Sequence, residues 1–263
     1  MYNDWLTIGN LTIHGYGVMI AVGILAAFWL GERLAKETGL SVEEEDNLIL
    51  TALIAGFLGS KITYILTDFS YFLQNPAVAM SNAGWVVFGG ILGGILGAYL
   101  YCRVRKITFL PYLNLSMVLL ALAQGFGRIG CFFAGCCYGK PTHGALGVVF
   151  SHSDFAPNHV RLIPTQLLSS FGDFVLFAIL YMIFKNEKKR RQTAAWYLVL
   201  YSAGRFVIEF LRGDAGRGFI GIFSTSQAIG IVTFSIGVYW LWKSNKIQRL
   251  KKENGAAQEG VEA

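Results

Sequence analysis

The sequence predicts an all-α integral membrane protein of seven transmembrane helices, with its N-terminus outside and its C-terminus cytoplasmic. Three observations carry that fold class. Of the 263 residues, 54% are hydrophobic and only 14% charged, and the mean hydropathy is +0.49, a balance rare in a water-exposed domain of this length. Apolar windows near the length that crosses about 30 Å of hydrocarbon recur at residues 15–34, 48–66, 84–102, 110–132, 164–184, 193–212 and 224–242. Lys and Arg gather in alternate connections: at Arg33 and Lys36, at Arg103, Arg105 and Lys106, at Lys185 and Lys188 to Arg191, and from Lys243 to Lys252. Those connections are cytoplasmic by the positive-inside rule.

Each element follows in chain order. Residues 1–14 form an external arm, in which Trp5 to Ile8 and Leu11 to His14 alternate around Gly9-Asn10, the pattern of a small hairpin or an interfacial arm. The seven-helix membrane domain spans 15–243. Its second connection, 67–83, carries no Lys or Arg and belongs outside. The third span is crowded by Gly84, Gly89, Gly90, Gly93, Gly94 and Gly97, which permit close helix approach. Residues 133–163, rich in Gly, Pro, His and Asp, are too polar to span and too long for a tight turn, so they form an external cap. The polar tail, 244–263, is expected to be disordered and cytoplasmic. A net charge of +6 and a pI near 9.1 reflect this cytoplasmic anchoring, and no nucleic-acid partner is implied. No pair of interrupted helices shows the inverted repeat of many carriers, which disfavours a transporter.

Function concentrates in two places. The fourth span ends in GFGRIGCFFAGCCYG, Gly125 to Gly139, which holds Arg128 at the edge of an apolar run. An arginine in a membrane helix costs about 2.5–3.5 kcal/mol on insertion scales, so it pairs or binds an anion. In the sixth span, Tyr201, Arg205, Glu209 and Arg212 are spaced four, four and three apart and share one helical face. Arg205 and Glu209 can pair, which lowers the cost of burying both and leaves guanidinium donors for an anion. Arg128 and Arg205, with Lys61 of the second span as a third cation, make a receptor for a phospholipid phosphate. The bland alternative for the sixth-span row is an ion pair that only locks helices together.

These pieces resemble, in order and over roughly Ile13 to Trp242, the bacterial prolipoprotein diacylglyceryl transferase family. His14-Gly-Tyr16-Gly opens the first span, AGFLGSKITY supplies Lys61 and GRIG supplies Arg128. Pro164-Thr-Gln166-Leu, the Arg-x-x-x-Glu-x-x-Arg helix of Arg205 to Arg212, and Ser224-Thr-Ser-Gln227 follow. The resemblance implies a multi-pass enzyme of the bacterial plasma (inner) membrane that needs no cofactor and no metal. It would transfer diacylglyceryl from phosphatidylglycerol to the lipobox cysteine thiol of a prolipoprotein signal peptide, releasing glycerol phosphate. Its partners would be that lipid, that peptide and the bilayer. Arg128, Arg205, Glu209 and Tyr201 become the catalytic set, and His14, Tyr16, Lys61, Gly89, Gly90, Gln166, Arg212 and Gln227 the substrate-binding set.

The chain departs from the family's pattern at four polar positions. The His-Gly-Gly motif reads Phe88-Gly89-Gly90, the Asn after GRIG is Cys131, an acidic position is Cys136, and the His before Pro-Ser-Gln is Ile163. The phosphate-binding half of the pattern is kept and the proton-transfer half rewritten. A divergent paralogue acting on another acceptor, and a non-enzymatic lipid-binding or thiol-redox membrane protein, are therefore the competing expectations. Cys131, Cys136 and Cys137 form a possible thiol site with three readings: buried packing or a disulfide, thiol chemistry beside Arg128, or a metal site, although C-x4-CC lacks the usual zinc spacing. His14 and Tyr16 are equally readable as interfacial anchors. Cys102 is expected to be inert packing, and Asp154, Asp173 and Asp214 carry no motif.

Overall fold

The computed structural model describes residues 3–9, 11–81, 84–214 and 218–259. The chain opens with an antiparallel hairpin of β1 (Asp4–Ile8) and β2 (Leu11–His14). Gly9 takes φ +60° in its turn, a conformation open to glycine at little cost. The predicted turn partner, Asn10, lies outside the described residues, as do residues 1 and 2 of the arm. The register shifts between Asp4 and Leu6, and the indole of Trp5 lies against Gly15, 5.0 Å edge-on from the Phe133 ring.

The helices follow as α1 (Gly15–Thr38), α2 (Val42–Thr67), α3 (Phe69–Gln74), α4 (Pro76–Ser81), α5 (Val87–Arg105) and α6 (Phe109–Ala134). A short sheet of β3 (Val148–Val149) and β4 (Arg161–Leu162) precedes α7 (Thr165–Lys185), a 3-10 turn over Arg190–Gln192, and α8 (Thr193–Glu209). The hairpin of β5 (Phe219–Ile220) and β6 (Phe223–Ser224) leads into α9 (Thr225–Glu259). Helices α1, α2, α5, α6 and α7 are long and apolar enough to cross a membrane. They carry large apolar residues outward, among them Leu25, Trp29, Phe57, Leu92 and Phe171. Such a surface suits lipid and would aggregate in water. Helices α8 and α9 fall on the two remaining apolar windows.

Three departures from the sequence reading have local causes. Helix α2 starts six residues ahead of its apolar window, because Ser41 caps it by accepting from the Glu44 N–H at 3.3 Å and Glu43, Glu44 and Glu45 occupy its first turn. The connection 67–83, which lacks Lys and Arg, contains α3 and α4. From 244 to 259 the chain continues α9 in place of a disordered tail: Lys, Gln, Leu, Glu and Ala dominate there, and extending an existing helix avoids the nucleation cost. Residues 260–263 lie outside the described residues.

The chain forms two compact units, residues 28–116 and residues 1–27 with 117–263. In the first, glycines set the approach of α2 to α5. A Cβ added to Gly59 would meet the Gly89 carbonyl oxygen at 2.5 Å and the Gly93 Cα at 3.0 Å, and one added to Gly93 would meet the Ala55 carbonyl oxygen at 2.5 Å. Leu48, Ala98, Cys102 and Tyr112 form its buried cluster, so Cys102 packs there among apolar side chains. In the second unit, Gly23 meets Phe126 and Ala123 of α6, and Gly125 meets the ring of Phe174 on α7. The Ser170 hydroxyl donates to the Gly125 carbonyl at 2.8 Å, and the Ser202 and Thr233 hydroxyls pair across α8 and α9 at 2.7 Å.

Residues 133–163 have a small core of their own, in which Phe150, Ala156 and Leu162 pack with Phe132. Gly59→Leu should destabilise the protein by about 1–3 kcal/mol through overpacking, read as a lower unfolding temperature in detergent. Gly17→Ala should leave that temperature unchanged or raise it, since no atom lies within 4 Å of its added Cβ.

Candidate functional site

The second unit holds a cavity of about 440 Å3 between α6, α7 and α8, within the range of small-molecule sites. Its polar lining is Arg128, Asp173, Tyr201, Arg205 and Ser169, and the remainder is mostly apolar, including Leu168, Leu176, Leu200 and Val207. Three of the four residues predicted as catalytic thus share one chamber. The fourth, Glu209, is buried one turn behind Arg205, with its Oε2 2.8 Å from Arg205 Nη2 and 3.7 Å from Arg212 Nη1. Arg205 also donates to Ser226 Oγ at 3.2 Å, and Arg212 pairs with Asp214.

These contacts follow from helical spacing. Positions 201, 205 and 209 stack at i,i+4, and at Arg212 the helix has ended, so that its guanidinium reaches both Glu209 and Asp214. Among the described residues, Arg128 makes no hydrogen bond or ion pair with the protein; it lies within electrostatic reach of Tyr201, Cys131, Cys137 and Asp173. The Tyr201 ring stacks on Tyr197, 5.3 Å away at 5°. The Tyr197 hydroxyl in turn donates to Gln124 Oε1 at 3.0 Å, which braces the phenol from below.

Asp173 is the lining residue that the sequence reading passed over. It is buried on α7 and sits between the fields of Arg128 and Arg205. A lone carboxylate in an apolar helix was itself the signal, but no neighbouring motif marked it. Arg128, Arg205 and Arg212 face Asp173, Glu209 and Asp214, so guanidiniums and carboxylates balance in number.

The end of α8 is tied to the chain that follows α6. The Lys140 N–H donates to the Leu211 carbonyl at 2.9 Å and the Gly213 N–H to the Tyr138 carbonyl at 3.0 Å, while Gly139 and Lys140 pair with Ile163 on the other side. A Cβ on Gly213 would lie 2.6 Å from the Gly139 carbonyl oxygen, so glycine is required for this approach. Cys131, Cys136 and Cys137 cluster beside this ladder, and all are free thiols, so the disulfide reading is not realised. Hydrogen bonds from Cys131 and Cys136, with Arg212 and Arg128 nearby, hold the Cys137 thiol below its ordinary range, whereas hydrogen bonds with Cys131 and Cys137, together with burial, push Cys136 up.

The remaining predicted residues have local partners. His14 Nδ1 lies 2.6 Å from Asp4 Oδ1 across the hairpin. The Tyr16 ring packs over Gly130, within electrostatic reach of Arg128 and the three cysteines. Gln166 is buried and donates from Nε2 to the Cys136 carbonyl at 2.8 Å. Gln227 forms a capping box at the start of α9: its Oε1 accepts from the Ser224 N–H at 3.1 Å, and its own N–H donates to Ser224 Oγ at 3.2 Å. Lys61, Gly89 and Gly90 belong to the first unit. There the Lys61 ammonium lies 5.0 Å from the Tyr64 ring and 5.1 Å from the Trp85 ring, and Gly89 and Gly90 face the backbone of α2.

Removing Glu209 leaves Arg205 charged and short of its partner in a buried setting, at a cost of about 3–5 kcal/mol. Glu209→Ala should therefore lower the unfolding temperature in detergent much more than Asp214→Ala, which leaves Arg212 with Glu209.

A profile of prolipoprotein diacylglyceryl transferase matches residues 4–243. The chain is 43% identical to the phosphatidylglycerol–prolipoprotein diacylglyceryl transferase of Clostridium tetani over 231 residues, 88% of this chain and 92% of that one. It is 40% identical to phosphatidylglycerol–prolipoprotein diacylglyceryl transferase 2 of Clostridium perfringens over 248 residues, 94% of this chain and 96% of that one. The Thermotoga maritima protein of the same name is 32% identical over 243 residues, covering 88% and 80%. With a match that runs from the N-terminal hairpin through the apolar part of α9, the chain belongs to the prolipoprotein diacylglyceryl transferase family.

Proposed function

We propose that this protein transfers the sn-1,2-diacylglyceryl group of phosphatidylglycerol to the lipobox cysteine thiol of a prolipoprotein, with glycerol phosphate as the leaving group. The observation that carries this reading is Arg128, whose guanidinium lines the cavity beside Arg205 and makes no hydrogen bond or ion pair with the described protein residues. A guanidinium fork so placed suits a phosphate. The apolar lining suits the lipid's glyceryl and acyl carbons. Seven spans, with α8 and α9 as the last two, an outside N-terminus, a cytoplasmic C-terminus and residence in the bacterial plasma membrane complete the proposal, supported by the alternation of Lys and Arg.

In the reaction, the acceptor sulfur forms a bond to the glyceryl C3 as the C3–O bond to phosphate breaks. Both electrons of that bond leave with the phosphate. Arg128 and Arg205 neutralise the charge that develops there, an interaction strongest in the transition state. Tyr201 offers its phenol to the same oxygens. Glu209 positions Arg205. The bound phosphodiester carries one negative charge, the departing glycerol phosphate gains a second, and the thiol proton, taken by Asp173, offsets that second charge within the site. His14, Tyr16 and Arg212 lie towards the hairpin and the chain after α6, where the acceptor peptide would approach.

The test is transfer of a labelled diacylglyceryl group from phosphatidylglycerol to a lipobox peptide by the purified protein. Transfer is expected with the wild type and absent with a Cys→Ser peptide. Arg128→Ala should lower the rate by about 10²–10³-fold. Folded wild-type protein that binds phosphatidylglycerol and transfers nothing would overturn the proposal. Asp173→Asn should lower the turnover rate by about 10²-fold or more with little change in KM for the lipid and should flatten the acid limb of the pH–rate profile. Wild-type turnover in that variant would remove Asp173 from the proton path.

A further inference from the structure

The three cysteines after Arg128 are brought together by a turn that their spacing in the chain does not announce. Their Sγ atoms all lie within 4.8 Å of one another. Helix α6 ends at Ala134, and the chain reverses through Gly135 at φ +75° and Cys137 at φ +56°. A left-handed conformation is costly for a residue with a Cβ, and such strain persists only where the surroundings enforce it. Here they do. Thr165 Oγ1 donates to the Cys137 carbonyl at 2.8 Å, and Gln166 Nε2 donates to the Cys136 carbonyl at 2.8 Å. Both donors are buried, each 1% exposed. Cys136 Sγ contacts the Cys131 carbonyl oxygen at 3.8 Å, closing the turn on the last turn of the helix.

We propose that Cys131, Cys136 and Cys137 form a three-thiolate binding site for a soft, closed-shell cation of the zinc(II) or copper(I) type. Sulfurs bound about 2.3 Å from one ion stand ~3.8–4.0 Å apart in tetrahedral or trigonal geometry, which movement of the thiols alone can reach. Soft thiolate donors select such ions over magnesium or calcium. The anchored carbonyls of Cys136 and Cys137 give the ligands the outer support that metal sites require. Three thiolates with a mono- or divalent ion form an anionic unit, and it lies within the field of Arg212 and Arg128. A disulfide fits the cluster less well, because neighbouring cysteines join only with strain and any single pairing leaves a thiol over. With three protein ligands, one coordination position is left to a ligand from outside the cluster, as in open zinc sites.

The test uses the full-length protein, reduced and purified in detergent. It is titrated in separate arms with zinc(II) against a chromophoric chelator and with copper(I) held by a competing ligand. About one ion per chain is expected in at least one arm, with the ion preferred deciding between the two. Cadmium(II), used as a probe, should give a thiolate charge-transfer band. Binding and band should be lost in Cys131→Ser and in Cys137→Ser and kept in Cys102→Ser. Circular dichroism and a single size-exclusion peak establish that each variant is folded. Retention of stoichiometric binding in Cys131→Ser, or no binding of either ion by wild-type protein with four titratable thiols, would overturn the proposal. A thiol count two short in freshly purified, unreduced protein, with no metal present, would overturn it in favour of a disulfide. None of these readouts depends on transfer activity, so they stand apart from the proposed reaction.

Discussion

The structure around the cavity depends on one buried carboxylate. Glu209 sits against Arg205 and Arg212 at the end of α8, where an uncompensated guanidinium would be expelled from apolar surroundings or would unwind the helix that carries it. With Glu209 in place, Arg205 keeps its remaining donors towards Ser226 and the chamber, and Arg212 is free to engage Asp214. Arg128 is treated differently. It comes from another helix and draws its charge compensation from Asp173 at a distance. One arginine is therefore clamped and the other left available, a division suited to the anion binding proposed for this site.

Close backbone approach is the second constraint. Helices in lipid gain little from hiding apolar side chains, so packing and hydrogen bonding carry their association. The glycine contacts of α2 with α5, and of α6 with α1 and α7, supply the packing. Hydroxyl bonds such as Ser170 to Gly125 and Ser202 to Thr233 supply the rest. The same logic explains why Gly139 and Gly213, far from any span's centre, are glycines: two backbones meet there with no room for a side chain.

Much of this was legible in the sequence. The hairpin showed in its alternation about Gly9, five helices in their apolar windows, and the row of Tyr201, Arg205 and Glu209 in its helical spacing. What escaped notice lacked a local signature or had one overlooked. Asp173 is a single carboxylate whose partners stand on α6 and α8, so nothing beside it in the chain announced its place. Ser224-x-x-Gln227 was read for its likeness to a family turn, yet the pattern is also that of a capping box, which the fold uses. The early start of α2 was written in Ser41 and three glutamates, outside the apolar window that defines a span. The cysteines were visible as a group, but their spacing says little about distance once a turn contains two left-handed residues.

The ladder that joins Tyr138, Gly139 and Lys140 to the end of α8 makes the segment after α6 and the arginine row one mechanical piece. Its hydrogen bonds run from backbone to backbone, so they cannot be exchanged one rotamer at a time. Any motion that swings residues 138–163 away from the helices must pull Leu211 and Gly213 with it, and with them Arg212 and its hold on Glu209. The segment after α6 and the arginine row are thus coupled through the main chain, so neither can shift without carrying the other.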